Sequence, residues 1–202
     1  GASYEETFDR EGVDRSIVDK LPGVSTGVAV IEVDESVENH IVIVPGANGK
    51  MDREYIDAHI ATIAAADYVL FQLEIPPATM IYALSLLKES AAKTILDPAP
   101  APPEGLPPEL LANVDLITPN ESEAAALTGI TVSDEETARR AGASLMEQGA
   151  SRVIIKAGAS GAYIVEAPGS DPAAATVRKV AGFPVEVVDT TAAGVKGGRV
   201  AA

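Results

Sequence analysis

Short β-branched runs open the hydrophobic pattern of this chain. Residues 26–33 (TGVAVIEV) and 40–45 (HIVIVP) are two such runs, with the polar residues 34–39 between them. Two apolar runs joined by a short polar segment predict a β-hairpin. This hairpin precedes the regular alternation of the later segments. We therefore interpret residues 24–47 as a small separate sheet, acting as a flap or lid.

Further along, strand-like and helix-like segments alternate. Apolar runs predict strands at residues 68–72 (expected to be buried), 94–96, 115–118, 152–156, 163–166, 176–180 and 185–188. Helical spacing of apolar residues predicts helices at residues 51–66, 77–93, 120–127 and 133–148, the last opened by a capping box at Ser133–Glu136. This alternation predicts an α/β fold, a Rossmann-like and mostly parallel sheet with helices on both faces. The proline-rich residues 98–108 predict a surface loop rather than an interdomain linker.

Composition narrows the classes of partner. The chain has 202 residues, with 30 acidic and 15 basic side chains and a net charge of −15. Phosphate backbones and anionic lipid surfaces repel such a protein, so nucleic-acid and membrane partners are not expected. Either a well-solvated surface or adaptation to high salt would explain this acidity. The absence of cysteine excludes disulfides and thiolate metal sites. With no signal peptide or apolar run of membrane-spanning length, the expected location is the cytoplasm.

Several catalytic designs are missing from the sequence. His40 and His59 are far apart, and His59 falls in a helical pattern, where a packed or surface role is the commoner one. The motifs HExxH, GxSxG, GxGxxG and GxxxxGK[ST] are all absent. The sequence therefore does not predict a zinc hydrolase, a nucleophile-elbow enzyme, a dinucleotide-binding domain or a Walker-type ATPase.

Polar residues remain at the carboxyl ends of the predicted strands, where ligands bind in open parallel sheets. They lie in residues 72–74 (QLE), 97–100 (DPAP), 118–123 (TPNESE) and 188–194 (VDTTAAG). The small residues of the last segment follow a predicted strand and could bind an anion through their N–H groups. In 118–123, the asparagine and the glutamate three residues later also form a helix N-cap pattern, and both roles can coexist.

Taken in order, these segments resemble the ribokinase branch of the PfkB carbohydrate-kinase family. Similar stretches also occur at residues 26–29 (TGVA), 45–48 (PGAN) and 156–161 (KAGASG). TPNESE followed downstream by DTTAAG is a specific pair. The resemblance implies ATP-dependent phosphorylation of a sugar hydroxyl, with Mg²⁺ and a monovalent cation such as K⁺.

The resemblance also implies roles for individual residues. Asn120 and Glu123 match the family's NxxE motif, which organises magnesium and phosphates, and Glu74 matches a position that contacts the sugar. The alternative interpretation of Glu74 is a strand-end carboxylate that faces solvent. The nucleotide site is matched by Lys156, Gly158, Ser160 and Gly161, and the monovalent-cation loop by Asp189 and Thr191. The anion hole, which stabilises charge on the transferring phosphoryl group, is matched by Ala192, Ala193 and Gly194.

The sequence departs from the family at the next position. The family has an aspartate there that accepts the proton of the attacking hydroxyl, whereas this chain has Val195. The family's first strands, which carry an early sugar-binding aspartate, also have no counterpart. We therefore expect residues 1–202 to form one incomplete ribokinase-like domain with little or no kinase activity. The alternative is a non-catalytic module that binds nucleotide or sugar, or one that only associates, with the lid hairpin pairing as a homodimer.

Overall fold

A computed structural model of the chain describes residues 1–33 and 39–183. The helices are α1 (Ala2–Glu11), α2 (Arg53–Ala64), α3 (Pro77–Leu87), α4 (Pro108–Leu111), α5 (Glu121–Thr128) and α6 (Glu135–Glu147). The strands are β1 (Val28–Val33), β2 (Asn39–Val44), β3 (Tyr68–Gln72), β4 (Lys93–Asp97), β5 (Leu116–Ile117), β6 (Val153–Lys156), β7 (Ala162–Glu166) and β8 (Thr176–Val180). Short 3-10 turns lie at Asn48–Lys50, Gly158–Ser160, Pro168–Ser170 and Pro172–Ala174.

The described strands form two sheets. β1 and β2 pair antiparallel as a two-stranded sheet, which confirms the predicted hairpin. The larger sheet has the order β3-β4-β5-β6-β7-β8, parallel from β3 to β6 and antiparallel for β7 and β8. Helices flank this sheet. The structure confirms the predicted α/β class with a mostly parallel sheet and a separate small sheet.

Alternate side chains of the central strands form the core with the helices. Leu96, Ile117, Val153, Ile155 and Val165 are almost fully buried. The predicted apolar face of α3 is confirmed, because Met80, Ala83, Leu84 and Leu87 are all buried. Helix α6 approaches β7 so closely that a Cβ at Gly142 would meet the side chain of Val165 at 2.6 Å. Within the described residues, no helix has both the length and the apolarity to span a bilayer.

The prediction that β3 is buried is wrong for most of the strand. Phe71 is buried, but Tyr68 is 62% and Leu70 is 73% exposed. The reason is topological, because β3 lies at the edge of the sheet and pairs only with β4 among the described strands. Its alternate side chains therefore point away from the helix-covered core, and an apolar run alone does not distinguish an edge strand from a central one.

Two predictions about helix ends need correction, and one helix is not predicted. The helix predicted at 77–93 ends at Leu87, and Lys93 already begins β4. The capping box of α6 is formed by Asp134 and Thr137 rather than by Ser133 and Glu136, because the Asp134 carboxylate accepts the Thr137 N–H. Helix α1 is not predicted from the sequence, since it buries none of its side chains. The strand predicted at 185–188 lies outside the described residues.

A side-chain network joins β4 to the start of β5. The Asp115 carboxylate accepts hydrogen bonds from the backbone N–H and the hydroxyl of Thr94, at 2.8 and 3.0 Å. Lys93 Nζ lies 3.3 Å from the other Asp115 oxygen. Burial acts to raise the pKa of the Asp115 carboxyl, but the Thr94 hydrogen bonds and the Lys93 charge hold it below its ordinary value. The ionised carboxylate therefore stabilises the pairing of the two strands.

Replacement of this carboxylate should make stability depend less on pH. Because the folded pKa is lowered, the charged form adds stability above the ordinary pKa, and this contribution is lost as pH falls through the folded value. We expect Asp115→Asn to lower the free energy of unfolding by about 1 kcal/mol near neutral pH. Urea unfolding of both proteins from about pH 7 to about pH 3 should show this difference shrinking. A constant difference would contradict the account.

Candidate functional site

The carboxyl ends of β4, β5 and β6 lie side by side at one edge of the sheet. The Thr118 N–H donates to Leu96 O, and the Lys156 N–H donates to Pro119 O, both at 2.8 Å. An isolated parallel bridge continues the pairing between Asn120 and Lys156. Backbone hydrogen bonds therefore bring the end of β6 against the loop that leads into α5. We call this region the carboxyl-edge site.

Asn120 and Glu123 form a reciprocal capping box at the start of α5. Asn120 Oδ1 accepts the Glu123 N–H at 2.8 Å, and Glu123 Oε2 accepts the Asn120 N–H at 2.7 Å. The structure therefore confirms the N-cap pattern seen in the sequence. Burial raises the pKa of the Glu123 carboxyl above its ordinary value, although the Asn120 N–H and the Lys156 charge oppose this. The cap holds a partly buried carboxylate at the sheet edge, and the proposed magnesium role is compatible with it.

Lys156 reaches across β5 to a carboxylate on β4. Its Nζ lies 2.8 Å from Asp97 Oδ1, and the two side chains are 27% and 20% exposed. Both residues end their strands, and the parallel register points their side chains to the same face of the sheet. The sequence places Asp97 in a strand-end segment but predicts no role for it. The sequence does contain a signal for this ion pair. An aspartate ends β4 and a lysine ends β6, and β5 is the strand between them.

The glycine turn after β6 is fixed by close approach of the backbone. Gly158–Ser160 is a 3-10 turn, and Gly161 follows with φ of 95°. A Cβ at Gly161 would overlap the carbonyl oxygen of Val180, where the chain leaves β8. Only glycine combines this positive φ with this contact. The turn lies directly after Lys156, so the predicted nucleotide-site residues do occur together at the carboxyl edge.

Glu74 follows β3 at the same edge and meets a residue from the segment after the hairpin. Asn48 Nδ2 donates to Glu74 Oε2 at 3.5 Å, and both side chains are exposed. The Leu73 N–H donates to Ala99 O at 3.2 Å, which joins the end of β3 to the proline-rich loop. Asn48 is a further candidate site residue, and its only signal in the sequence is its place in the PGAN stretch.

The remaining predicted site residues cannot be placed. Asp189, Thr191, the segment 192–194 and Val195 lie outside the described residues.

His59 is on α2, where its ring packs near Tyr55 and its Nε2 lies 3.3 Å from Asp19 Oδ2. The structure thus places His59 in a surface contact, in keeping with its interpretation from the sequence.

The donor set of the described residues is compatible with a magnesium ion. In the part of the chain that the structure describes, no group of three or more His, Asp or Glu side chains could hold a metal ion. Mg²⁺ usually keeps several waters and binds one or two carboxylates together with substrate phosphates. A single partly buried carboxylate, that of Glu123, is compatible with such a site.

The fold and the site define an α/β protein that collects polar and charged side chains where its parallel strands end. The sequence profile described as pfkB family carbohydrate kinase matches residues 1–194. The chain belongs to this family.

Known relatives support the assignment in sequence and in structure. The chain is 37% identical to a ribokinase of Haemophilus influenzae over 194 residues, covering 96% of this chain and 60% of that protein. It is 43% identical over 187 residues to a bifunctional ribokinase/ribose-5-phosphate isomerase A of Fructilactobacillus sanfranciscensis, covering 93% and 33%. The solved structure of Arabidopsis thaliana ribokinase complexed with ribose and ATP matches with 31% identity and a TM-score of 0.78, covering 91% and 57%. The chain thus spans less than two thirds of these relatives.

Proposed function

We propose that the protein is a ribokinase-type phosphotransferase, which transfers the γ-phosphoryl group of ATP to a hydroxyl of a ribose-like sugar. The carboxyl-edge site is the observation that carries this proposal. It combines a partly buried Glu123, the lysine at the end of β6 and a glycine turn. The similarity to ribokinases, one of them solved with ribose and ATP, supports the choice of substrates.

In this proposal each described residue has a limited task. Glu123 would hold Mg²⁺, and Asn120 keeps that carboxylate in place through the capping box. Lys156 would contribute positive charge near the phosphates, and Gly158, Ser160 and Gly161 would line the nucleotide. When bound, magnesium neutralises the negative charge that develops during phosphoryl transfer. Catalysis of this kind depends mainly on positioning and electrostatics.

The sugar and cation contacts are also proposals. Glu74, which lies 3.5 Å from the Asn48 amide, would accept hydrogen bonds from sugar hydroxyls. We assign the monovalent-cation loop to Asp189 and Thr191. We assign the anion hole to Ala192, Ala193 and Gly194. A cytoplasmic location stays a prediction.

Val195 leads us to propose that turnover by this chain is low. A valine cannot accept the proton of the attacking hydroxyl, and loss of a general base costs roughly 10²–10⁴-fold in rate. Binding of nucleotide or sugar without turnover is therefore the second candidate function.

Calorimetry with Mg-ATP tests the nucleotide assignment. We expect binding with a dissociation constant below about 1 mM. Glu123→Gln should weaken it about tenfold or more, because the amide is a poorer magnesium ligand. Glu147→Gln is the control, since it neutralises an exposed carboxylate at the end of α6 that is not a residue of the carboxyl-edge site, and it should leave the affinity unchanged.

Steady-state ATP consumption with D-ribose, Mg²⁺ and K⁺ then separates the two candidate functions. The proposal expects turnover far below the ~10 s⁻¹ of an ordinary enzyme, and a gain with Val195→Asp. Binding without any turnover in either protein would favour the non-catalytic module. Absence of Mg-ATP binding would refute the nucleotide assignment itself.

We also propose that residues 24–47 form a lid whose apolar face pairs two copies of the chain. Val28 pairs with Val44 and Val30 with Val42, so these four side chains share one face of the hairpin. Each is between 49% and 58% exposed. A contiguous exposed patch of valines is typical of an interaction surface. The paired strands could also extend each other at their edges.

Light scattering over a concentration series tests the lid pairing. The chain should be dimeric, and Val30→Asp should make it monomeric because a charge would be buried in the apolar contact. Val18→Asp is a matched control, since Val18 is 47% exposed but lies outside the hairpin. A monomer at high concentration, or equal dissociation by both variants, would contradict the proposal.

A further inference from the structure

The Asp97–Lys156 ion pair lies within the carboxyl-edge site and is partly buried. The two side chains come from strands that are not neighbours, with β5 between them. Their 2.8 Å separation and low exposure contrast with the Lys93–Asp115 pair at the other end of β4, which spans 3.3 Å with exposures of 63% and 43%. Exposed pairs contribute little because water screens them, whereas partly buried pairs interact more strongly.

The pair also changes the net charge that a ligand would meet. Asp97, Lys156 and Glu123 together carry one net negative charge when all three are ionised. Asp97 acts to raise the pKa of Glu123 and Lys156 acts to lower it, so the three groups are electrostatically coupled. A polyphosphate arriving without a cation would meet this negative charge. A divalent cation bound to the polyphosphate would offset this repulsion.

We propose that Asp97 is a positioning residue that makes polyphosphate binding depend on the divalent cation. Its carboxylate holds the Lys156 ammonium at the sheet edge and offsets its charge. Lys156 therefore attracts a metal-free polyphosphate only weakly. Its ammonium group stays positioned to contact a metal-bound polyphosphate. This inference rests on the proposed nucleotide site and adds to it the source of its selectivity for Mg-ATP over free ATP.

The test is anion binding with and without magnesium. Calorimetry measures the affinity for ATP and for inorganic pyrophosphate, each in excess Mg²⁺ and in EDTA. We expect Asp97→Asn to bind both metal-free anions about tenfold more tightly than the unchanged chain. Affinity for the magnesium complexes should change much less, so the ratio of the two affinities falls. A purely structural role for Asp97 would weaken both forms alike.

Two further variants make the result specific. Asp115→Asn removes the aspartate of an Asp–Lys pair at the opposite edge of the same strands, with the same change in net charge. It should leave the ratio unchanged. Asp97→Asn combined with Lys156→Met should lose the gain in metal-free binding, because that gain requires the positive charge of the lysine. Circular dichroism and urea unfolding establish that each variant is folded.

The outcomes separate the two proposals. If the unchanged chain does not bind Mg-ATP but Asp97→Asn still gains pyrophosphate binding that depends on Lys156, the nucleotide assignment fails. The effect of Asp97 on polyphosphate binding then stands without the selectivity for Mg-ATP. If Mg-ATP binds normally and Asp97→Asn leaves the ratio unchanged, the inference is overturned and the nucleotide site stands. A gain that equals that of Asp115→Asn would also overturn it.

Discussion

The parallel register of β4, β5 and β6 is the constraint on which the site depends. β5 is only two residues long, yet its neighbours pair with it on both sides. Hydrogen bonds from Ile117 N to Arg152 O and from Lys156 N to Pro119 O fix how far each strand extends. Since buried backbone groups must be paired, a shift of one residue would cost these bonds and turn alternate side chains to the wrong face. This register places Asp97 and Lys156 on the same face of the sheet.

The two ends of β4 show how burial decides what an ion pair does. At its start, Lys93 and Asp115 are well exposed, and the Thr94 hydrogen bonds make that carboxylate a structural element. At its end, Asp97 and Lys156 are mostly covered and lie within reach of Glu123. The chain as a whole is strongly acidic, with a net charge of −15. An anionic nucleotide therefore needs local positive charge, from a cation or a lysine, to bind it.

The pattern of the sequence predicts most of the described fold because long periodic segments carry strong signals. It predicts the hairpin, the strands of the large sheet and the buried face of α3. It does not predict that β3 is an edge strand, because Tyr68 and Leu70 have the composition of a buried strand and their exposure depends on tertiary topology. For the site, the Asn120–Glu123 spacing carries both a cap and a candidate ligand. The Asp97–Lys156 contact depends on strand order, which local patterns do not determine.

The central claim is that the carboxyl edge of β4, β5 and β6 binds Mg-ATP. Hydrogen–deuterium exchange of the chain with and without Mg-ATP tests it most directly, because amide protection reports the location of binding and needs no turnover. The account predicts slower exchange at residues 118–123 and 156–161, with no change at the start of β4 around Lys93. Protection confined to the amino edge, or none in the carboxyl-edge segments at saturating Mg-ATP, would contradict it.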